Sequence, residues 1–113
     1  MINVNKKILE LAIESASNHI IVTDINGTIL YANKGAENTT GYTLEEMMGN
    51  TPRLWGALMP KEFYEDFWQT IKYKHQPFYA EIKNRRKNQD VYYALARISP
   101  IINENNILTG FVA

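Results

Sequence analysis

The sequence holds no cysteine. That removes disulfides, thiolate metal centres and cysteine nucleophiles from the chemistry open to it. It also lacks an excess of charge, since twelve basic side chains balance twelve acidic ones. Nucleic acids and anionic membrane surfaces attract a positive field, so neither is an expected partner. No apolar run approaches the length of a membrane span, and the amino terminus has no secretory apolar stretch. The expectation is a cytoplasmic domain without direct membrane contact. Catalytic constellations are missing as well. His19 and His75 have no metal-spaced carboxylate nearby, and neither a serine–histidine–acid pattern nor a glycine-rich phosphate loop occurs. The reading is non-enzymatic, with no metal site.

What is present suits one domain. The 113 residues are 45% hydrophobic and 21% charged, and a chain of this size buries roughly two-thirds of its unfolded surface. Ile8, Leu9, Leu11, Ala12, Ile13 and Ala16 recur at helical spacing opposite Lys6, Lys7, Glu10 and Glu14, so 6–16 is predicted as an amphipathic helix. Ile20-Ile21-Val22-Thr23 and Ile29-Leu30-Tyr31-Ala32 flank Asn26-Gly27 as a hairpin. Asn33 is suited to cap the helical turn that follows. Thr43 and Glu46 have capping-box spacing for a short helix that Gly49 stops. Pro60 fits the first position of a longer helix, whose stripe is Phe63, Tyr64, Phe67, Trp68 and Ile71.

From Phe78 the period becomes two. Phe78, Ala80, Ile82 and Asn84 share one face; Tyr79, Glu81, Lys83 and Arg85 share the other. Asn88-Gln89-Asp90 turns the chain into a strand over 91–98 that is apolar on both parities, which predicts a sheet covered on both faces. A turn at 103–106 precedes a last strand from Ile107. The class is α+β, with five strands in one antiparallel sheet. The division expected is 1–16 as a flanking helix and 17–113 as the domain proper. The stop at Phe111-Val112-Ala113 is the pattern of a piece excised from a longer protein.

Several motifs, in order, carry a likeness: Val22-Thr23-Asp24 with Asn26-Gly27, Ile29 through Asn33, Thr40-Gly41-Tyr42, Glu45-Glu46-Met47-Met48-Gly49 and Pro52-Arg53-Leu54. Phe63-Tyr64 with Trp68, Asn84-Arg85-Arg86-Lys87 and Ile98-Ser99-Pro100-Ile101 complete it. Over 8–113 the chain resembles the PAS sensory domains. Its motifs are most similar to the non-photochemical members found in sensor kinases, diguanylate cyclases and FAD-type redox sensors. The resemblance implies an internal small-molecule pocket between the sheet and the central helices. It also implies a covalently attached effector, such as a histidine kinase or diguanylate cyclase. Signals would pass through the flanking helix, which could also form a homodimer. The alternative is a ligand-free scaffold that only brings signalling proteins together.

The resemblance further sorts cofactors. In light-oxygen-voltage relatives the flavin-reactive cysteine lies within a stretch matching Gly49-Asn50-Thr51-Pro52-Arg53, and here Pro52 holds its position. Adduct photochemistry is excluded. Haem is disfavoured, because the long helix offers no axial histidine. Non-covalent flavin, FAD in the redox-sensing relatives, stays open. Asn84 falls where such relatives place an amide against the ring's polar edge, and Arg53 matches an arginine that contacts flavin phosphate. Ile82, Ala94 and Ala96 line the same face, the two alanines standing where an amide and an aromatic are expected. Trp68, on the inner stripe, is the aromatic pocket candidate. Ala36 and Thr39 replace larger residues, leaving space that a ligand or Trp55, Tyr42 or Met48 would fill. One of Glu45 and Glu46 is expected to pair with Lys87. Arg85, Arg86 and Lys87 read as a solvated hairpin end, not a nucleic-acid site.

Overall fold

The structure is a computed structural model and describes residues 5–113. Its first helix, α1 (Lys6–Ser15), begins where the Asn5 side chain accepts a hydrogen bond from the Ile8 N–H. That satisfies one of the donors a first turn leaves free. β1 (Ile21–Thr23) and β2 (Ile29–Ala32) form the predicted hairpin. At its tip Asp24 Oδ1 accepts from the N–H groups of Asn26 and Thr28, while Gly27 adopts φ 84° at no Cβ cost. α2 (Lys34–Thr40) and α3 (Leu44–Met47) follow. α3 starts with the expected capping box, in which Thr43 and Glu46 each accept from the other's backbone N–H.

A 3-10 turn (Pro52–Leu54) leads to α4 (Lys61–Trp68), whose N-cap, not its first helical residue, is Pro60. The stripe expected to continue through Ile71 is broken in geometry but not in direction. Gln69–Tyr73 widens into a π-helical turn, closed by the Lys74 N–H on the Gln69 carbonyl. Ile71 is thereby fully buried against Phe78 and Phe111. The second core cluster, Ile21, Ile29, Ala32, Ala36, Met47 and Trp55, lies under α2 and α3. Among the described residues no helix is long and apolar enough to cross a membrane.

β3 (Phe78–Arg85), β4 (Val91–Ile102) and β5 (Leu108–Val112) complete one antiparallel sheet of order β2-β1-β5-β4-β3. This is the α+β, five-stranded arrangement predicted. β4 runs four residues beyond the expected 98, through Pro100. It can do so because it changes partner. Residues up to Ile98 pair with β3, and those from Ser99 onward pair with β5. Pro100 therefore lies beyond the end of β3, where its missing N–H costs no ladder bond on that side.

Among the described residues, nothing covers the outer face of the sheet at its β3–β4 end. Val91, Tyr93 and Leu95 are exposed, Leu95 to 89%, and Tyr79 joins them from β3. Alternation assigns residues to faces but does not say what lies over each face. α1 is not that cover. Its Ile8, Leu9, Leu11 and Ile13 are themselves exposed; the helix is tethered to the other edge, where the Tyr31 hydroxyl donates to the Glu14 carboxylate.

The strongest local constraint is Asn33, which has no exposed surface. Its Oδ1 accepts from the N–H groups of Ile20 and Ala36, both at 2.9 Å. Its Nδ2 donates toward the carbonyls of Ile13, Ala16 and Asn18 at 2.9–3.1 Å. One side chain thus caps α2, ends α1 and fixes the entry to β1. Gly35 belongs to the same device: a Cβ there would stand 2.2 Å from the Asn18 carbonyl oxygen. Asn33→Ala strips the cap and strands buried backbone groups, so it is expected to cost ~3 kcal/mol. The check is the urea midpoint at unchanged m-value; a loss below ~1 kcal/mol would show that water replaces the amide.

Candidate functional site

The inner face of the β3–β4 ladder follows from its register. Asn84 stands opposite Tyr92, Ile82 opposite Ala94, Ala80 opposite Ala96 and Phe78 opposite Ile98. The alternation read from the sequence thus brings Asn84, Ile82, Ala94 and Ala96 to one face. Asn84 is buried, at 8% exposure, whereas Ile82, Ala94 and Ala96 are partly buried. Small alanines across from Ile82 and Ala80 leave this wall low between taller neighbours.

Tyr92 was not among the residues singled out from the sequence, although it shares the parity of Ala94 and Ala96. Its hydroxyl is buried against the Asn84 amide, and no group among the described residues gives it a well-formed hydrogen bond. A buried unpaired hydroxyl is uncommon and costs on the order of 1–3 kcal/mol. Burial pushes the Tyr92 hydroxyl above its ordinary pKa, against a smaller lowering from the Asn84 amide and the charge of Arg86. The Arg86 guanidinium stacks on the Tyr92 ring, 4.1 Å from its centroid. Only the strand register could have revealed the Asn84–Tyr92 pair.

The other candidates are elsewhere. Trp68 stacks on Phe67, meets Phe111 edge-on at 5.8 Å and lies over Gly27, where a Cβ would be 3.6 Å from its ring. Its contacts are with β5 and the β1–β2 tip; Asn84's neighbours are Tyr92 and Gly56, where a Cβ would be 3.7 Å from its Oδ1. Arg53 is exposed on the 3-10 turn. The space near Ala36 is taken by Trp55, with Tyr42 packed against the same cluster, whereas Met48 points outward at 44% exposure and Met47 is the buried methionine. Glu46 pairs with Lys87 at 2.5 Å, which holds its carboxyl below the usual range with help from the Thr43 backbone N–H.

Two depressions flank the ladder. One, of about 380 Å³, lies on Tyr79, Ala80, Glu81, Leu95, Ala96 and Arg97. The other, of about 180 Å³, is a narrower mouth between the 3-10 turn and the β3–β4 turn, lined by Trp55, Gly56, Arg85 and Arg86 among others. Neither is lined by Asn84, Trp68, Ile82 or Arg53.

A five-stranded sheet of this order, with short helices against one face, is matched by a family model. The PAS fold model aligns with residues 7–113. The chain belongs to the PAS-fold family. This PAS domain is 32% identical over 102 residues to a nitrogen fixation regulatory protein of Klebsiella oxytoca, covering 89% of this chain and 20% of that protein. It is 37% identical over 92 residues to the aerotaxis receptor of Escherichia coli, covering 80% of this chain and 18% of the receptor. The chain thus spans about a fifth of the length of these curated relatives. Among solved structures it superposes on the PAS domain of a protein from Colwellia psychrerythraea with TM-score 0.83 at 23% identity, covering 94% and 90% of the two chains. An RNA-binding light-oxygen-voltage receptor gives TM-score 0.83 at 24% identity, covering 94% of this chain and 31% of that one. At those identities the structural likeness speaks for the fold.

His19 is partly buried at the strand entrance, edge-on to Trp55 at 5.5 Å. Burial pushes its imidazole below the ordinary value. The unfolded chain therefore takes up a proton near pH 6.5 that the folded domain resists. Stability conferred by neutral His19 is present above that pH and falls as pH drops below it. His19→Gln should flatten the decline in urea midpoint between about pH 7.5 and pH 5.5. An equally steep decline in the variant would assign it to other groups.

Proposed function

We propose that this PAS domain is a sensory, non-catalytic module that detects a small molecule or redox state at the inner sheet face and controls a covalently attached effector. The observation that carries the reading is the Tyr92 hydroxyl, buried against the Asn84 amide without a well-formed hydrogen bond among the described residues. Two polar groups facing inward beside a low alanine wall suit the hydrogen-bonding edge of a flat ligand. Membership of a family of sensory modules supports the role, as do the regulatory and aerotaxis proteins among the relatives. A histidine kinase or diguanylate cyclase is the effector class in view, and the cytoplasm its compartment.

Non-covalent flavin, as FAD, is the cofactor class to test first. Asn84 and Tyr92 would hold its polar edge, and Ala94, Ala96 and Ile82 would lie along its ring; when bound it would supply reversible electron storage. Trp68 and Arg53 would serve a longer ligand that extends beyond this pair. The visible spectrum and denatured extract of freshly purified protein decide the matter, with mass spectrometry for colourless compounds. A flavin or other metabolite is expected, and Asn84→Ala is expected to lower its retention about tenfold. An empty extract would defeat the ligand reading; unchanged retention in the variant would defeat the site.

A second reading, a ligand-free scaffold for self-association, is favoured by the exposed Ile8, Leu9, Leu11 and Ile13 of α1. An uncovered apolar stripe is a liability for a lone domain and suits a homodimer. Deleting residues 1–16 should convert a dimer to a monomer in sedimentation velocity. Identical sedimentation with and without the helix would remove α1 from that role.

A further inference from the structure

The narrow mouth beside the β3–β4 turn has a chemistry of its own. Tyr42, Leu54, Trp55, Gly56, Leu58, Arg85, Arg86 and Gln89 line its 180 Å³, and no carboxylate is among them. Two arginines thus meet at one concave place with nothing of opposite sign on its wall. The third cation of the run is engaged elsewhere, since Lys87 Nζ is held by Glu46. Asp90, the nearest acid along the chain, does not line the mouth; its Oδ2 accepts from the Asn88 side chain at 3.0 Å.

Arg86 is held in place. Its Nε donates to the Thr39 carbonyl at 2.9 Å and its plane lies on the Tyr92 ring. That is the only side-chain hydrogen bond Arg86 makes among the described residues, so its terminal nitrogens keep their donors. A guanidinium fixed by stacking and one hydrogen bond has lost its rotamer entropy before any ligand arrives. The β3 end is likewise fixed, because the Arg85 N–H donates to the Trp55 carbonyl at 2.8 Å.

Gly56, on the wall of the mouth, is also close to Asn84: a Cβ there would stand 3.7 Å from Asn84 Oδ1. The Arg86 guanidinium lies 4.1 Å from the Tyr92 ring centroid, and the Tyr92 hydroxyl is buried.

The geometry points to an anion-binding subsite at Arg85, Arg86 and Gln89, which takes the carboxylate or phosphate of a small ligand. Arginine forks match either group with two parallel N–H···O bonds, and the Gln89 amide, one N–H of which is held by the Lys87 carbonyl at 3.2 Å, has its second N–H to offer at the rim. The ligand's uncharged body would pass Gly56 toward Asn84 and Tyr92, and in this respect alone the inference rests on the inner-face reading above.

The test follows amide shifts of isotope-labelled protein during titration with inorganic phosphate and, separately, with succinate, sodium chloride holding ionic strength constant. Saturable shifts are expected at Gly56, Arg85, Arg86 and Gln89, and whichever anion saturates first identifies the preferred group. Arg85→Gln should weaken binding about tenfold. Gln89→Glu, at an exposed turn position that leaves the Arg86 contacts intact, should abolish it by placing a carboxylate in the mouth. Shifts that sodium chloride alone reproduces in a separate titration, or that persist in Gln89→Glu, would overturn the subsite. Asn84→Ala keeps the two readings separable: anion shifts that survive in it uphold the mouth even if the extract is empty. A retained flavin with no anion response would refute the mouth alone.

Discussion

The fold depends on one buried amide. Asn33 ends β2, yet its side chain reaches back to the last turn of α1, across to the start of β1 and forward to the first turn of α2. Backbone groups at helix ends and loop entries need partners once water is removed. Here a single Asn supplies them where three segments converge, and Gly35 lets the chain approach closely enough for it to do so. Aspartate could accept but not donate at this place, and leucine could do neither. The position of α1 relative to the sheet therefore rests on a polar contact, not on buried apolar surface, which is why its apolar side chains remain exposed.

A second constraint sets the candidate site. β4 divides its length between β3 and β5, and the exchange at Ile98 and Ser99 leaves β3 and the first half of β4 as a two-stranded extension. Its inner side carries Asn84 and Tyr92; its outer side carries Tyr79, Tyr93 and Leu95. The Arg85 N–H on the Trp55 carbonyl and the Lys87 N–H on the Thr40 carbonyl tie the far end of this extension to the helical layer. The Glu46–Lys87 pair adds a charged link there, although its exposure keeps its contribution small. Ligand contact at Asn84 would thus be felt by the strand that also pairs with β5, the last strand of the sheet, and β5 is bonded to β1 beside the Asn33 junction.

Much of this was readable from the residues. Turn chemistry at Asn26-Gly27, the capping box at Thr43 and Glu46, and the change of period at Phe78 each have a local cause, and each element formed where that cause placed it. What local chemistry could not supply was pairing. The extension of β4 past Pro100 depends on β3 beginning only at Phe78, a fact about a neighbour and not about the proline. The Asn84–Tyr92 pair needs the register, and the register is set across the Arg86–Asp90 turn. Trp68 was correctly placed on the inner stripe of its helix, but a helix face does not say which end of a sheet it meets. Arg53 stands exposed for the same reason: a motif fixes its place in the chain, not its direction.

The two faces of the β3–β4 ladder share a property that stability alone does not explain. On the inner side a hydroxyl is buried without a well-formed hydrogen bond among the described residues, where phenylalanine would fill the same space at lower cost. On the outer side Leu95 and two tyrosines face solvent, where polar residues would cost nothing and lower the risk of association. A sequence that is consistent at its turns, caps and core, yet inconsistent on both sides of one ladder, departs from self-sufficiency in one place. Such departures concentrate where something else completes the structure.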